Sequence, residues 1–269
     1  MPRPEPSGKK DRASSRSVKR HRWSIIEREL RETYGPLIAG IDEVGRGPLA
    51  GPVVASAVIM PPDVRAIQGV DDSKRLVAAE RVRLAVKIRE RALAIGVGAA
   101  SVREIDRFNI YHATVLAMRR ALGRLTVSPN HVVVDGSSIR TLAVPHTAVV
   151  GGDHRCYNVA CASIIAKVTR DRVMHALGTR HPQYRWDKNV GYATTDHIRG
   201  MNDHGVTAHH RRSFIRVAQL SLGLDADMFT TGELATSEDA ELETLLDDAS
   251  TSLVLPAAGL GERPNELNA

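Results

Sequence analysis

The stretch that decides the fold lies between residues 37 and 60 and reads LIAGIDEVGRGPLAGPVVASAVIM. It contains two apolar runs of strand length, Leu37 to Asp42 and Pro52 to Met60, separated by a turn rich in glycine. Short apolar runs bounded by turn residues are typical of buried strands. Two strands in succession, ahead of the long helices, favour a mixed sheet over a purely parallel one.

Strand-like and helix-like segments continue on the C-terminal side of this stretch, and one helix precedes it. Further strands are predicted at Ala94–Val102, His131–Asp135 and Thr147–Val150. A capping box formed by Ser24 and Glu27 predicts a helix that begins at Ser24. Apolar periodicity and helix-end signals predict further helices over 76–93, Ile105–Leu125 and Asn158–Gly178. The sequence therefore predicts an α/β fold built on a mixed sheet.

Composition limits the class of protein. Of the 269 residues, 42% are hydrophobic but only 4% are aromatic, so the core must be aliphatic. The formal net charge of +6 is compatible with a polyanionic partner, although a merely basic surface explains it equally well. No apolar run is long enough to span a bilayer and no apolar signal-peptide segment follows the basic start, so we predict a cytoplasmic protein.

Charge is distributed unevenly along the chain. Residues 1–23 are rich in Lys and Arg and are predicted to form a basic disordered arm, and residues 24–222 form the folded domain. Residues 223–269 are predicted to be an acidic, largely disordered tail with one short helix between Ser237 and Ala249. The two cysteines, Cys156 and Cys161, are interpreted as small core residues in a reduced compartment.

Carboxylates follow three of the predicted strands. Asp42 and Glu43 come after the first, Asp135 ends His131–Asp135, and Asp153 follows the last strand. Acids that converge without counter-charges raise each other's pKa, and a divalent cation keeps them ionised. Ligands that are all oxygen favour Mg²⁺ or Mn²⁺, and two such ions about 3.5–4 Å apart suit phosphodiester cleavage.

Two considerations weigh against this interpretation. A single Asp after a strand is more often a helix cap or a turn residue, and only the set of three strand ends favours a metal centre. Neighbours on a strand also point to opposite faces, so Asp42 and Glu43 share one site only if the strand ends or bulges there. Gly45 and Gly47 make such a departure plausible.

Several other residues are candidates for nucleic-acid contacts. Gly45-Arg46-Gly47-Pro48 lacks the ending of a P-loop, but its bare backbone can approach a ribose 2′-hydroxyl, or simply form a tight turn. Tyr192 can stack on a ribose or base, or belong to the core. The run 209–214, HHRRSF, lacks the partners of a zinc site and is interpreted as a basic surface that grips a nucleic-acid backbone.

Together these residues resemble the bacterial ribonuclease HII family. The matching motifs span roughly residues 24 to 222, and the first is long and specific. In chain order they are 41–53 (IDEVGRGPLAGPV), 72–74 (DSK), 133–136 (VVDG), 162–171 (ASIIAKVTRD), Gly191-Tyr192 with Thr194 and His197, and 210–214 (HRRSF).

The resemblance implies a ribonuclease H-like fold with a five-stranded mixed sheet, helices on both faces and a C-terminal helical portion. It implies a monomer that uses Mn²⁺ or Mg²⁺ in a two-metal site. Its substrates would be RNA–DNA hybrids and DNA duplexes with embedded single ribonucleotides, cut on the 5′ side to leave 3′-hydroxyl and 5′-phosphate ends. A replication or repair partner is left open, and so are two rival functions: a binding-only hybrid-recognition protein, and a first-type ribonuclease H or resolvase.

The resemblance also implies roles for particular residues. The acids Asp42, Glu43, Asp135 and Asp153 would hold the metal, and the junction between RNA and DNA would be read by Gly45, Arg46, Gly47 and Tyr192. Lys74 and Ser163 would contact phosphate. The chain departs from the family at Gly151, where a lysine is usual, which leaves Asp171 as an alternative fourth acid that we otherwise expect to pair with a base.

Overall fold

The computed structural model describes residues 24–62, 64–214, 217 and 235–251. The strands within these residues are β1 (Ile38–Val44), β2 (Val53–Ile59), β3 (Ala94–Ala100), β4 (His131–Asp135) and β5 (His146–Val149). The helices are α1 (Ser24–Tyr34), α2 (Ala78–Arg91), α3 (Val102–Gly123), α4 (Gly152–Arg155), α5 (Tyr157–Arg180), α6 (Trp186–Asn189), α7 (Thr195–His204) and α8 (Ala235–Thr251). Single 3-10 turns lie at Arg140–Leu142 and Pro182–Tyr184.

The five strands form one mixed sheet in the order β3-β2-β1-β4-β5. The β1–β2 and β2–β3 pairs are antiparallel, as the succession of two strands predicted. The β1–β4 and β4–β5 pairs are parallel. The carboxyl ends of β1, β4 and β5 therefore lie side by side at one edge of the sheet.

Helices cover both faces of the sheet. On one face α2 and α5 enclose an apolar core that includes Val54 and Val58, and on the other α3 packs over Ile41 and Val134. Helix α5 lies so close to β1 that a Cβ at Gly40 would be 2.2 Å from the backbone of Asn158. This close packing places the first turns of α5 directly behind the acids of β1.

The structure differs from the predicted helices at three points. Glu27 of the predicted capping box is buried and its carboxylate accepts from the backbone N–H of Asn158, at the start of α5. Gly178, predicted to end a helix, lies inside α5, where a Cβ would be 2.6 Å from the backbone nitrogen of Asp187. Helix α3 is kinked at Asn109, which has a φ of 66°.

The acidic C-terminal segment contributes to the fold. The predicted short helix is α8, which packs against α5 through the buried side chains of Leu246 and Ala249. Arg124, which follows α3, also forms an ion pair with Glu243 of α8. Residues 235–251 therefore pack on the domain, whereas the prediction placed all of 223–269 outside it as a largely disordered tail.

The basic arm 1–23 and residues 223–234 lie outside the described residues. None of the described helices combines the length and apolar character needed to cross a membrane.

Candidate active site

Strands β1 and β4 place Asp42 and Asp135 side by side. Their last paired residues are Ile41 and Val134, and the two acids follow directly. Because Ile41 and Val134 pack under α3, strand alternation directs Asp42 and Asp135 to the opposite face, toward α5. Burial, together with the charges of Glu43 and Asp135, raises the pKa of Asp42 well above its usual value.

Glu43 joins this cluster without the predicted bulge. The β1–β2 ladder continues in register through Glu43↔Ala55 and Val44↔Val54, so the prediction that the strand ends or bulges there was wrong. The pairing of β1 with β4, in contrast, stops at Ile41. Burial raises the pKa of Glu43, the charge of Asp135 adds to the rise, and Arg46 opposes it from 3.3 Å.

Asp153 approaches Asp135 from the segment after β5. It is buried in the first turn of α4, which Gly151 enters with a left-handed φ of 66°. The next backbone N–H, that of Gly152, donates to Oδ1 of Asp135 at 2.7 Å. Burial and the charges of Asp135 and Asp72 raise the pKa of Asp153. Asp135 is thus the residue whose charge reaches all three of the other predicted acids.

Lys74 and Ser163 border the same cluster. Nζ of Lys74 is 3.9 Å from Oδ2 of Asp153, and although burial lowers its pKa, the charges of Asp153 and Asp72 raise it overall. Ser163 of α5 hydrogen-bonds to Asp42, and its hydroxyl lies 2.9 Å from that of Ser73. Lys74 and Arg46 together do not neutralise four clustered carboxylates, so the cluster fits a divalent cation bound by oxygen.

Two residues that the sequence reasoning did not select stand beside Asp153. Ligand atoms of Asp72, Asp153 and His154 lie within 4.8 Å of one another, with His154 Nε2 3.5 Å from Asp72. Asp72 also accepts from the backbone N–H of Lys74, which gives it an ordinary turn role. The motif Asp72-Ser73-Lys74 was the available signal, but within it only Lys74 was predicted to contact a ligand.

Asp171, the alternative fourth acid, is engaged elsewhere. Its carboxylate is 2.7 Å from Nζ of Lys167 and 3.9 Å from Arg81. The expectation that it pairs with a base is therefore confirmed.

Two buried arginines donate hydrogen bonds to backbone carbonyl groups of the glycine loop, residues 45–51, and of its neighbours. Arg211 donates to the carbonyl oxygens of Gly45, Arg46 and Gly51. Arg170 donates to those of Ala50, Pro52 and Val190. Both side chains are 0% exposed, and burial lowers the pKa of Arg170 to about 10 and that of Arg211 to about 9.

This arrangement corrects the interpretation of run 209–214 as a surface that grips nucleic acid. His210 and Arg211 are fully buried, so they cannot meet a ligand in solvent. The backbone N–H groups of exposed Arg212 and Ser213 donate to the carboxylate of Asp106. The run serves mainly to support the loop, and nothing in its composition distinguished this role from a basic patch.

The two glycines of the loop have different requirements. Gly45 has a φ of +94°, and a Cβ there would lie 2.2 Å from Nε of Arg170. We expect Gly45→Ala to lower the free energy of unfolding by about 2 kcal/mol or more, because strain and overlap add. A Cβ at Gly47 would meet only Cε1 of Tyr192, at 3.8 Å, so Gly47→Ala should stay within about 0.5 kcal/mol. Urea unfolding of the two variants measures this, and equal losses would contradict the assignment of strain to Gly45.

Tyr192 faces the open side of the loop. It is 46% exposed, which rules out the core alternative, and its ring edge is the nearest neighbour of the space above Gly47. The carbonyl of the preceding Gly191 accepts from Leu49 N–H at 2.8 Å. A hydrogen bond therefore connects the turn that carries Tyr192 to the glycine loop, and together they present an aromatic ring and bare backbone.

The family model and similar curated proteins point to the same family. The family model described as ribonuclease HII matches residues 39–217. A ribonuclease HII of Geobacillus thermodenitrificans is 49% identical over 210 residues, covering 77% of this chain and 80% of that protein. One of Thermosynechococcus vestitus is 52% identical over 181 residues, covering 66% of this chain and 84% of that protein.

Solved structures agree at the level of the fold. The ribonuclease H2 of Pyrococcus horikoshii OT3 aligns with a TM-score of 0.59 and 25% identity, over 70% of this chain and 98% of that chain. A Bst-RNase HIII, solved in complex with Mn²⁺, aligns with a TM-score of 0.56 at 19% identity, over 81% and 76% of the two chains. With the observed five-stranded mixed sheet, these likenesses confirm the predicted ribonuclease H-like fold.

Proposed function

Because the chain belongs to the ribonuclease HII family, it is an endoribonuclease of the ribonuclease H type that acts on RNA–DNA hybrids, and we propose that it also nicks duplex DNA at single embedded ribonucleotides by two-metal-ion catalysis. We propose cleavage on the 5′ side of the ribonucleotide, which leaves 3′-hydroxyl and 5′-phosphate ends. The observation that carries the proposal is that the glycine loop contacts both parts of the site: Arg46 lies 3.3 Å from Glu43 of the carboxylate cluster, and Gly47 lies beside the ring of Tyr192.

The metal part of the proposal rests on the carboxylate cluster. Asp42, Glu43 and Asp153 each have a raised pKa, and Asp135 contributes to every one of these shifts. These acids would hold Mg²⁺ or Mn²⁺, which when bound supplies charge stabilisation and an activated water for phosphodiester hydrolysis. Asp135 is fixed by Gly152 N–H and Asp42 by the N–H of Glu43, so the protein presents their remaining oxygens in a defined orientation.

The substrate part rests on the loop and the tyrosine. A ribose 2′-hydroxyl distinguishes RNA from DNA and can be reached only where no side chain intervenes. Gly47 provides such a place, since the only near neighbour of a Cβ there, among the described residues, would be the ring of Tyr192, at 3.8 Å. The Tyr192 ring can stack on the neighbouring sugar or base, while Lys74, exposed beside Asp153, is placed to contact a phosphate.

A panel of duplexes tests the proposal directly. We expect metal-dependent cutting 5′ of the ribonucleotide in a DNA duplex that carries only one, with Mg²⁺ and Mn²⁺ compared against EDTA. A hybrid with a continuous RNA strand serves as the positive control for ribonuclease H activity. Cutting of the hybrid alone would overturn the junction proposal, and cutting of branched DNA in preference to both would indicate a resolvase. Binding of both duplexes without cutting of either would indicate a recognition protein.

Replacing Tyr192 by Ala should reduce cutting at a single ribonucleotide by roughly 10- to 100-fold, because stacking on one base or sugar is worth about 1–3 kcal/mol. Binding of uncut duplex should weaken less, since charged groups provide most of that affinity. Rates from single-turnover assays and dissociation constants from fluorescence anisotropy give the two numbers. Tyr192→Phe is the matched control, because it keeps the ring, and it should retain most of the rate. Equal losses of rate and affinity in Tyr192→Ala would make the residue structural.

A further inference from the structure

A chain of hydrogen bonds runs through two buried imidazoles behind Tyr192. Nδ1 of His197 lies 2.9 Å from the carbonyl oxygen of Tyr192. Nε2 of His197 lies 3.1 Å from Nε2 of His210, and Nδ1 of His210 accepts from the backbone N–H of Thr207 at 2.9 Å. Both histidines are 0% exposed, so water does not compete for these bonds. The catalytic roles proposed above make no use of either residue.

The partners determine where the protons lie. The N–H of Thr207 can only donate, so Nδ1 of His210 carries no proton and Nε2–H donates to His197. The indole N–H of Trp186 also donates to Nε2 of His197, at 3.0 Å, so that nitrogen carries no proton either. The remaining proton of neutral His197 is therefore on Nδ1, from which it donates to Tyr192. Burial lowers the pKa of both histidines, that of His210 to about 3, which keeps the pair neutral.

The two ends of this hydrogen-bond chain contact two different elements: the turn that carries Tyr192, and the glycine loop. At one end, the carbonyl of Tyr192 receives His197 Nδ1–H and the backbone N–H of Thr194. At the other end, the backbone of His210 forms an isolated β-bridge with Ala50, inside the glycine loop. The neighbouring Gly51 N–H donates to the carbonyl of His209. The bond between the imidazoles therefore joins the turn that carries Tyr192 to the segment that pairs with the loop.

We propose that His197 and His210 are positioning residues that fix Tyr192 relative to the glycine loop through this directed chain of hydrogen bonds. The inference rests on the proposed role of Tyr192 as a reader of the ribonucleotide junction. It assigns no contact with substrate to either histidine. Their effect on cleavage is transmitted only through the position of the Tyr192 turn.

Two substitutions of His197 separate this role from general packing. Asn places its amide near the position of Nδ1 and keeps the donor to Tyr192, whereas Gln reaches toward Nε2 and loses that donor. Both remove an imidazole from the same buried site, so both should lower the melting temperature to a similar degree. We expect His197→Gln to cut at a single ribonucleotide roughly five- to tenfold more slowly than His197→Asn, as for one lost hydrogen bond.

The same substitutions in a Tyr192→Ala background distinguish the two proposals. If His197 acts through Tyr192, the difference between the Gln and Asn variants should disappear in that background. A Tyr192→Ala protein that cuts normally would overturn the proposed reader itself. A slow Tyr192→Ala protein in which the Gln and Asn variants still differ would overturn only the role of His197.

A spectroscopic measurement on the unmodified protein covers the case in which the variants do not fold. Correlation of ¹⁵N and ¹H in the imidazole rings should show His197 protonated at Nδ1 and His210 protonated at Nε2 at neutral pH. The opposite tautomer at His197, or a charged ring at either position, would contradict the directed chain.

Discussion

Asn in place of Asp42 is expected to abolish cleavage of an RNA–DNA hybrid, with a loss on the order of 10³-fold or more, while the metal-free protein becomes more stable. The loss follows because Asp42 would be a ligand of the metal that stabilises the transition state. The gain follows because Asp42 is buried and its pKa is raised by burial and by the charges of Glu43 and Asp135. A raised carboxyl pKa stabilises the fold at acid pH, and that stabilisation is lost as the pH rises through the folded-state value. At neutral pH the Asp42 carboxyl group therefore destabilises the metal-free protein, and Asn removes this cost.

Thermal unfolding at pH 7 in EDTA, and again with Mn²⁺, measures both effects on one protein. Asp42→Asn should melt above the unmodified protein in EDTA and should gain less from Mn²⁺, because ligand binding stabilises only the state that binds it. Asp203→Asn is the matched control, since Asp203 is exposed near the end of α7 and should change neither activity nor metal response. Retained hybrid cleavage in Asp42→Asn, or a lower melting temperature in EDTA, would remove Asp42 from the metal centre.

Much of the fold could be predicted from local pattern. The apolar runs around residues 37–60 predicted β1 and β2. The carboxylates at the ends of predicted strands indicated that Asp42 and Asp135 lie at the same edge of the sheet. This worked because the burial of a strand is visible in the apolar pattern of a short segment, and because parallel strands bring their carboxyl ends together however far apart they lie in the sequence. The expectation that the strand ends or bulges at Glu43 was wrong, because the ladder with β2 continues past the point at which the ladder with β4 stops.

The roles of Arg170 and Arg211, which support the glycine loop, could not be predicted in the same way. They depend on contacts with residues more than a hundred positions away in the sequence. Arg211 donates to carbonyls about 160 residues earlier in the chain, and Arg170 to one 118 residues earlier. A basic residue in a polar run usually lies in solvent, so the sequence favoured a surface role. Only the folded chain shows that both guanidinium groups are enclosed by backbone oxygens. The helix of the acidic segment was predicted, but its packing on α5 through Leu246 was not.

The fourth acid is the point at which the sequence left two candidates, and a matched pair of substitutions decides between them. Asp153→Asn should reduce hybrid cleavage on the order of 10²-fold or more, because it removes an oxygen from the carboxylate cluster around Asp135. Asp171→Asn should leave cleavage nearly unchanged. The carboxylate of Asp171 is instead engaged in ion pairs with Lys167, at 2.7 Å, and with Arg81.

The stability of the two variants should change in opposite directions. Burial, Asp135 and Asp72 raise the pKa of Asp153, so its neutralisation relieves repulsion and should raise the metal-free melting temperature at pH 7. Neutralisation of Asp171 removes a partly buried ion pair and should lower the melting temperature slightly. Single-turnover cleavage and unfolding in EDTA provide the four values. If Asp171→Asn were the inactive variant, the metal would have to bind along α5, and the Asp135 cluster would lose its assignment. If both were active, the centre would consist of Asp42, Glu43 and Asp135 alone, and His154 with Asp72 would become the residues to substitute next.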